Sequence, residues 1–235
     1  MKRKYLAFDI ETAKILPENY GDLHSHRPLG ISCAAVRESG KTESLTFFST
    51  DSDGSPSLQM NSKDLAELVD YLMDRQGAGY TIVTHNGLGF DFDILAEESN
   101  RTEDCKILAL NHVDMMFHIF CEKGFGVALN AAAKAIDKSK PEGMSGSMAP
   151  RLWKEGEHQK VLDYVAQDCL LTLEVAHKSE QEGSFQWITQ KGRPAFMNLS
   201  NGWLTVDEAM KIPPPDTSWM DNPWPRSKFV DWLNC

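Results

Sequence analysis

The sequence predicts an α/β protein with a mixed β-sheet flanked by helices, and two observations support this prediction. Short apolar runs of strand character come first along the chain, and later runs of this kind alternate with segments of helical periodicity. This order is typical of α/β domains with a mixed sheet. The 235 residues, of which 41% are hydrophobic, suffice for one large domain with an ordinary core.

The first sixty residues are predicted to form three strands joined by polar loops. Residues 4–9 (KYLAFD) form a short apolar strand that ends in acids. A polar loop follows at residues 13–29, in which His24 and His26 could contact substrate or a metal, although histidines in polar loops are usually neither. GISCAAVRE and KTESLTFFST are separated by a Ser-Gly pair, which predicts a hairpin of two further strands.

The middle of the chain is predicted to alternate between helices and strands. Ser62 is expected to cap a helix whose apolar face carries leucine and valine at helical spacing. After the β-rich run TIVTHNG, a helix is expected to begin at Asp91, because a carboxylate suits the positive end of a helix dipole. The remaining predictions are a strand at CKILAL, helices at DMMFHIFCEK and VALNAAAKAI, a loop over 138–150 and a long helix over 157–182.

The composition changes near Gly183, where the chain becomes rich in tryptophan and proline. Residues 1–183 are predicted to form the main domain. Residues 184–235 are predicted to be a C-terminal extension packed on that domain, since so short a segment rarely has a core of its own. Thr205 and Glu208 make a capping-box pattern that predicts one short helix in this extension.

Charge and cysteine content restrict the class of protein. The formal net charge of −10 argues against a protein that coats nucleic acid nonspecifically, although acids paired with Mg²⁺ would still attract a phosphate. Five cysteines without a CxxC pair argue against a disulfide framework or a zinc knuckle. This cysteine content makes a reducing, cytoplasmic setting the expectation. With no apolar run long enough for a bilayer, we expect no membrane partner.

Acids in three separated segments form the candidate site. Asp9 and Glu11 lie two apart in a strand and therefore point the same way. Tyr164 and Asp168 lie four apart in a helix and share a face. Asp91, at a strand-to-helix junction, could approach from a third side. Oxygen ligands of this kind suit Mg²⁺ or Mn²⁺ rather than zinc.

Several nearby residues have two interpretations. Asp93 competes with Asp91 for the metal role, but a solvent-facing acid in the first helical turn is favoured for it. Asp114 could support the site or cap the next helix, and the cap is favoured. A group of basic residues could either contact phosphates or be solvated at helix ends; these are Lys134, Lys138, Lys140, Arg151 and Lys154.

The segments FDIET, HNGLGFDFDIL and YVAQD resemble the three motifs of the DEDD 3′–5′ exonucleases, which have a ribonuclease H-like fold. The resemblance covers about residues 4–180. The residue five before Asp168 is Asp163 rather than histidine, and Tyr164 is present, which indicates the tyrosine (DEDDy) branch. The spacing in HNGLGFD looks most like stand-alone relatives of the exonuclease domain of family B DNA polymerases.

The resemblance implies a role for each matching residue. It implies that Asp9, Glu11, Asp91 and Asp168 hold two Mg²⁺ or Mn²⁺ ions and that Tyr164 positions the attacking water. It also implies that the backbone of Thr12 lies near the terminal nucleotide and that Asn86 supports substrate binding. The implied activity is hydrolysis of terminal phosphodiester bonds, preferably in single-stranded nucleic acid, to nucleoside 5′-monophosphates.

Two alternatives stay open at this stage. The chain could be an inactive scaffold or nucleic-acid-binding protein that keeps the ribonuclease H-like fold, or an RNA-trimming nuclease of the RNase D kind. Single-stranded DNA is the favoured partner and RNA is possible, while the sequence does not indicate a separate polymerase or repair partner. The C-terminal tryptophans could stack on bases or anchor the extension, and the anchoring interpretation is favoured.

Overall fold

A computed structural model describes residues 3–19, 21–140 and 143–234, and the side chain of His24 lies outside that description. Its main sheet has five strands in the order β3-β2-β1-β4-β5. These strands are β1 (Tyr5–Thr12), β2 (Ile31–Glu38), β3 (Leu45–Phe47), β4 (Thr81–Thr84) and β5 (Val113–Asp114). Strands β1 to β3 pair antiparallel, whereas β4 lies parallel to both β1 and β5. The predicted mixed sheet is confirmed.

Helices cover both faces of this sheet. The α-helices are α1 (Ser62–Gly77), α2 (Asp91–Ser99), α3 (Thr102–Asn111), α4 (Met115–Lys123), α5 (Leu129–Ala135), α6 (Ala149–Lys154), α7 (His158–Glu182), α8 (Val206–Ala209) and α9 (Ser227–Val230). A separate hairpin of β6 (Ser184–Ile188) and β7 (Pro194–Asn198) follows α7. No helix within the described ranges is both long and apolar enough to cross a membrane.

The central strand β1 divides its side chains between two apolar cores. Leu6, Phe8 and Ile10 pack with residues of α1, α2 and α3 on one face of the sheet. Tyr5 and Ala7 pack on the opposite face with apolar residues of α7. Since side chains two apart in a strand share a face, the acids that continue the Tyr5 and Ala7 row point toward α7.

Three local predictions are wrong. CKILAL is part of α3 rather than a strand, because Cys105, Leu108 and Ala109 are buried at helical spacing. Asn61, not Ser62, caps α1, where its side chain accepts hydrogen bonds of 3.0 Å from two backbone N–H groups. The predicted 138–150 loop ends early, because a 3₁₀ turn at Gly146–Met148 leads into α6, whose first turn accommodates a proline.

The C-terminal extension contributes side chains to both cores. Trp203 is fully buried and donates a 3.3 Å hydrogen bond from Nε1 to the carbonyl of Ala176 in α7. Phe229 is buried in the other core. Trp219 and Trp224, in contrast, expose 66% and 44% of their surface. Trp203 therefore anchors the extension, whereas Trp219 and Trp224 do not. The predicted boundary between a main domain and a C-terminal extension at residue 183 stays a prediction.

Truncating Trp203 to alanine should cost about 3–5 kcal/mol of folding free energy, because the change leaves a large cavity in a core shared with α7. Trp219→Ala, in the same extension, should change the free energy of unfolding by no more than about 0.5 kcal/mol. Urea denaturation followed by circular dichroism would compare the two variants. Equal stabilities would mean that the extension does not stabilise the domain.

Candidate active site

Asp9 and Glu11 lie in the carboxyl-terminal half of β1, on the face that packs against α7. Glu11 is 6% exposed, and Asp9 is partly buried. The pairing of β1 with β2 shifts register between Glu11 and Thr12, so the strand is irregular where the acids end. The alternation of the strand therefore delivers two carboxylates to one place beside α7, as the sequence predicted.

Asp91 reaches the same place from α2, which packs on the face of the sheet opposite to α7. The parallel pairing of β1 with β4 ends at Ala7, so the next part of β1 has no strand beside it on that edge. The Asp91 side chain takes this position, and its Oδ1 accepts a 2.9 Å hydrogen bond from the backbone N–H of Ile10. The carboxylate is thus fixed beside the strand segment that carries Asp9 and Glu11.

Helix α7 supplies Asp168 and Tyr164, one turn apart on the same face. Lys140 reaches both of them, with Nζ 2.5 Å from Asp168 Oδ2 and 3.3 Å from the Tyr164 hydroxyl. The other carboxylate oxygen, Asp168 Oδ1, is buried and has no hydrogen-bond partner within the described part of the chain. One oxygen of this acid therefore pairs with the Lys140 ammonium, and the other could bind a ligand.

The HNGLG loop between β4 and α2 is held by Asp114. Its carboxylate accepts hydrogen bonds from the backbone N–H groups of Asn86 (3.0 Å) and Leu88 (2.8 Å), as well as from Phe117 in α4. Asp114 thus caps α4, as predicted, and also fixes the loop. Asn86 adopts a left-handed φ of 81°, and a Cβ at Gly87 would lie 2.4 Å from Thr84 Oγ1. Only glycine fits at that position.

Asp93 was predicted to face solvent, and this prediction is wrong. It is 6% exposed and forms an ion pair with Arg27, which also binds Glu97 at 2.8 Å. Two residues along a helix span about 200°, so Asp93 points away from the side that Asp91 presents to β1. The structure therefore assigns Asp91, and not Asp93, to the acid cluster.

Burial raises the pKa of each acid in the cluster, and repulsion from neighbouring acids adds to the rise for Asp9, Glu11 and Asp91. Burial and the nearby Asp91, Asp168 and Glu11 charges raise the pKa of Asp9 well above its usual range. Burial and the Asp168 charge do the same to the pKa of Glu11. The pKa of Asp91 rises to about 7, chiefly through burial, although the Ile10 N–H opposes this rise. The cluster is therefore costly to ionise without a cation.

Tyr164 is held as a neutral phenol. Burial, followed by the charge of Asp168, raises its pKa to about 12, although Lys140 opposes the shift. The hydroxyl can therefore donate or accept a hydrogen bond near neutral pH, but it cannot serve as a base there.

The donor set suits a hard divalent cation. Within residues 3–19, 21–140 and 143–234, no group of three or more acidic, histidine or cysteine side chains has the geometry to hold a metal ion as it stands. Four carboxylates nevertheless converge, one buried Asp168 oxygen has no hydrogen-bond partner in these same ranges, and the Lys140 ammonium lies among them. Oxygen donors with an excess of negative charge are what Mg²⁺ and Mn²⁺ prefer.

The structure brings five of the seven predicted site residues together: Asp9, Glu11, Asp91, Tyr164 and Asp168. Thr12 lies beside them at the end of β1, where its carbonyl accepts a 3.2 Å hydrogen bond from Ser32 Oγ. Asn86 lies in the adjoining loop. For His26, the structure shows a backbone carbonyl that accepts from Lys14 Nζ at 2.6 Å. The His24 side chain lies outside the described residues.

The sequence did not decide whether Lys140 contacts phosphates or is solvated at a helix end. The structure puts its ammonium inside the acid cluster. A lysine in a Gly/Ser/Pro-containing segment shows no periodicity that would indicate its direction. Arg27 was not singled out at all, because its partner Asp93 lies 66 residues away along the chain.

The raised pKa values predict how stability depends on pH. Asp91 titrates near 3.8 when unfolded and near 7 when folded, so the metal-free folded protein binds more protons between these values. Its contribution to stability is therefore present below pH 4 and lost as the pH rises through 7. Asp91→Asn keeps an acceptor for the Ile10 N–H, so its stability relative to the wild type should increase from pH 5 to pH 8.

Urea denaturation with EDTA at several pH values would measure this difference. Comparison with Asp91→Asn is needed because desolvation lowers the pKa values of three histidines to about 4; these are His85, His112 and His118. Their titration acts on stability in the opposite direction up to about pH 6.5. A constant difference between the two proteins across pH 5–8 would contradict the predicted titration of Asp91.

Comparison with solved structures supports the fold. The chain is similar to the family B DNA polymerase from the hyperthermophilic archaeon Pyrobaculum calidifontis, with a TM-score of 0.55 and 17% sequence identity. The match covers 77% of this chain but only 25% of the polymerase chain, so the likeness concerns one part of a much longer protein. No curated protein matches the sequence.

A family model gives the assignment. The model of the RNase H superfamily matches residues 6–179, which include β1, the HNGLG loop, α2 and the acid-bearing part of α7. The matched range is more than half of the chain and contains all four acids of the cluster. The chain belongs to the RNase H superfamily.

Proposed function

We propose that this protein is a 3′–5′ exonuclease that hydrolyses terminal phosphodiester bonds with the help of two divalent metal ions. The observation that carries the proposal is the convergence of four acids from β1, α2 and α7 around one buried Asp168 oxygen that has no hydrogen-bond partner among the described residues. Membership of the RNase H superfamily supports a nuclease, and the DEDDy motifs support the exonuclease activity.

The resemblance to the DEDDy exonucleases divides the roles of the four carboxylates. Asp9, whose pKa is raised by the charges of the three other acids, would bind both ions, while Glu11 and Asp168 would hold one ion and Asp91 the other. Bound ions would stabilise the charge on the phosphate and lower the pKa of the attacking water. Tyr164, a neutral phenol beside Asp168, is suited to orient that water through a hydrogen bond. We therefore assign it a positioning role rather than that of a base.

The substrate end would lie between the end of β1 and the HNGLG loop. Thr12 directly follows Glu11 in β1, and Asn86 lies in the HNGLG loop. The resemblance implies that the Thr12 backbone lies near the terminal nucleotide and that Asn86 supports the site. Asp114 fixes this loop through two backbone N–H groups. A loop held in place before substrate arrives would position the scissile phosphate without further ordering.

Release of mononucleotides from a 5′-labelled single-stranded oligonucleotide with Mg²⁺ or Mn²⁺ tests the activity. Asp9→Ala should lower kcat by at least about a thousandfold, because it removes a ligand shared by both ions. Tyr164→Phe should lower it by about ten- to a hundredfold, because only an orienting hydroxyl is lost. The matched control is Asp163→Ala, an exposed acid next to Tyr164, which should leave kcat within about twofold.

Absence of hydrolysis by the wild type would favour the inactive-scaffold alternative. A larger loss for Tyr164→Phe than for Asp9→Ala would mean that the roles are wrongly assigned. Matched DNA and RNA oligonucleotides in the same assay would decide between a DNA exonuclease and an RNA-trimming nuclease, since the 2′-hydroxyl is the chemical difference that the site must accept or reject.

Lys140 should weaken metal binding, because its ammonium lies 2.5 Å from a carboxylate oxygen that would otherwise face the metal. Lys140→Gln removes this charge and should lower the Kd for Mn²⁺ by roughly tenfold at low ionic strength. Isothermal titration calorimetry would measure the change, with Lys138→Gln as the control from the same segment. Weaker Mn²⁺ binding by Lys140→Gln would show that the lysine instead supports the loaded site.

A further inference from the structure

The last part of the C-terminal extension packs directly against the HNGLG loop. Trp232 donates a 2.7 Å hydrogen bond from Nε1 to the carbonyl of Leu88 within that loop. Phe229 is buried against Phe117 and Phe120 of α4, with ring centroids 5.5 Å and 4.8 Å apart. Helix α9 is therefore fixed beside the candidate active site.

A cleft of about 780 Å³ lies between α9, the HNGLG loop and the segment that follows β1. Asn86 and Phe90 line it from the loop, Leu23 from the segment after β1, and Lys228 and Trp232 from the extension. Phe90 immediately precedes Asp91 in the chain. The cleft therefore shares the HNGLG loop, including Asn86, with the candidate active site and continues along the extension.

The groups that line this cleft suit nucleobases better than a row of phosphates. Phe90 and Trp232 offer aromatic surface, on which bases of any sequence can stack. Asp93 forms an ion pair with Arg27, which Glu97 shares. Asp22 and Asp231 also line the cleft, and acidic residues there do not suit a row of phosphates.

Lys228 connects this cleft to an exposed tryptophan. Its Nζ lies 3.6 Å from the centre of the Trp224 ring, and the side chain is itself exposed. Trp224 packs 6.3 Å from the Phe229 ring and still exposes 44% of its surface. An ammonium and an open indole are therefore held together at the edge of the cleft, where a phosphate and a base of one strand could both be bound.

We propose that α9 and Trp224 form the upstream part of a binding path for single-stranded nucleic acid. The cleft takes the bases next to the terminal nucleotide, Lys228 contacts a backbone phosphate, and Trp224 stacks on a base farther from the end. This inference rests on the proposed exonuclease function, and it gives the C-terminal extension a substrate-binding role in addition to packing.

Two substrates of different length test the proposal. The p-nitrophenyl ester of thymidine 5′-monophosphate fills only the terminal site, whereas a twelve-nucleotide oligothymidylate would also reach the extension. For Trp224→Ala and Lys228→Gln, the ratio of kcat/KM on the oligonucleotide to kcat/KM on the ester should fall about tenfold. Trp219→Ala and Lys211→Gln, exposed residues of the same extension outside the cleft, should keep the wild-type ratio.

Binding without turnover separates this inference from the proposed function. Fluorescence anisotropy of a labelled oligothymidylate, at low salt with EDTA, should show about tenfold weaker binding for the two cleft variants than for the two controls. Hydrolysis by the wild type with unchanged ratios and unchanged binding in Trp224→Ala and Lys228→Gln would overturn the inference alone. Weaker binding by these variants, with no hydrolysis of either substrate by the wild type, would overturn the exonuclease function alone.

Discussion

The hydrogen bond from the backbone N–H of Ile10 to Asp91 Oδ1 joins the middle of the sheet to the first turn of α2. It forms where β4 has ended beside β1, so the side chain takes the place of a neighbouring strand. A buried N–H without a partner would be costly there. The same contact that completes the sheet thus places a third carboxylate beside Asp9 and Glu11.

The remaining geometry of the site follows from this contact and from β1. Strand alternation sends Asp9 and Glu11 toward α7, and α7 returns Asp168 and Tyr164 from its inner face. Four acids meet in a half-buried space, where the charge of Asp168 raises the pKa values of Asp9, Glu11 and Asp91. Lys140 offsets part of that repulsion. An arrangement with this much uncompensated charge is poor for stability alone, which favours a functional reason for it.

The sheet and most helices could be predicted because their patterns are local. The two-residue period of β1 and the long amphipathic run of α7 place their side chains without knowledge of the rest of the fold. CKILAL was mistaken for a strand because six apolar-rich residues fit either structure, and only burial of Cys105, Leu108 and Ala109 on one face decides for α3.

Contacts that join distant segments could not be read in the same way. Arg27 and Asp93 meet across 66 residues, so the buried position of Asp93 has no local signal. Lys140 enters the acid cluster from an irregular segment, and Trp232 reaches Leu88 across 144 residues. Residue type and spacing single out the acids, and the resemblance of their motifs to a family supplies the long-range information that periodicity lacks.

The hydrogen bonds of Asp114 limit which substitutions the protein tolerates at this position. One carboxylate accepts hydrogen bonds from two N–H groups of the HNGLG loop and from one at the start of α4. Asparagine, which would fill the same space, offers only one oxygen for these three donors, so at least one of them would lose its partner. The conformation of the loop therefore depends on one acid outside it, in addition to the glycine that the loop itself requires at position 87.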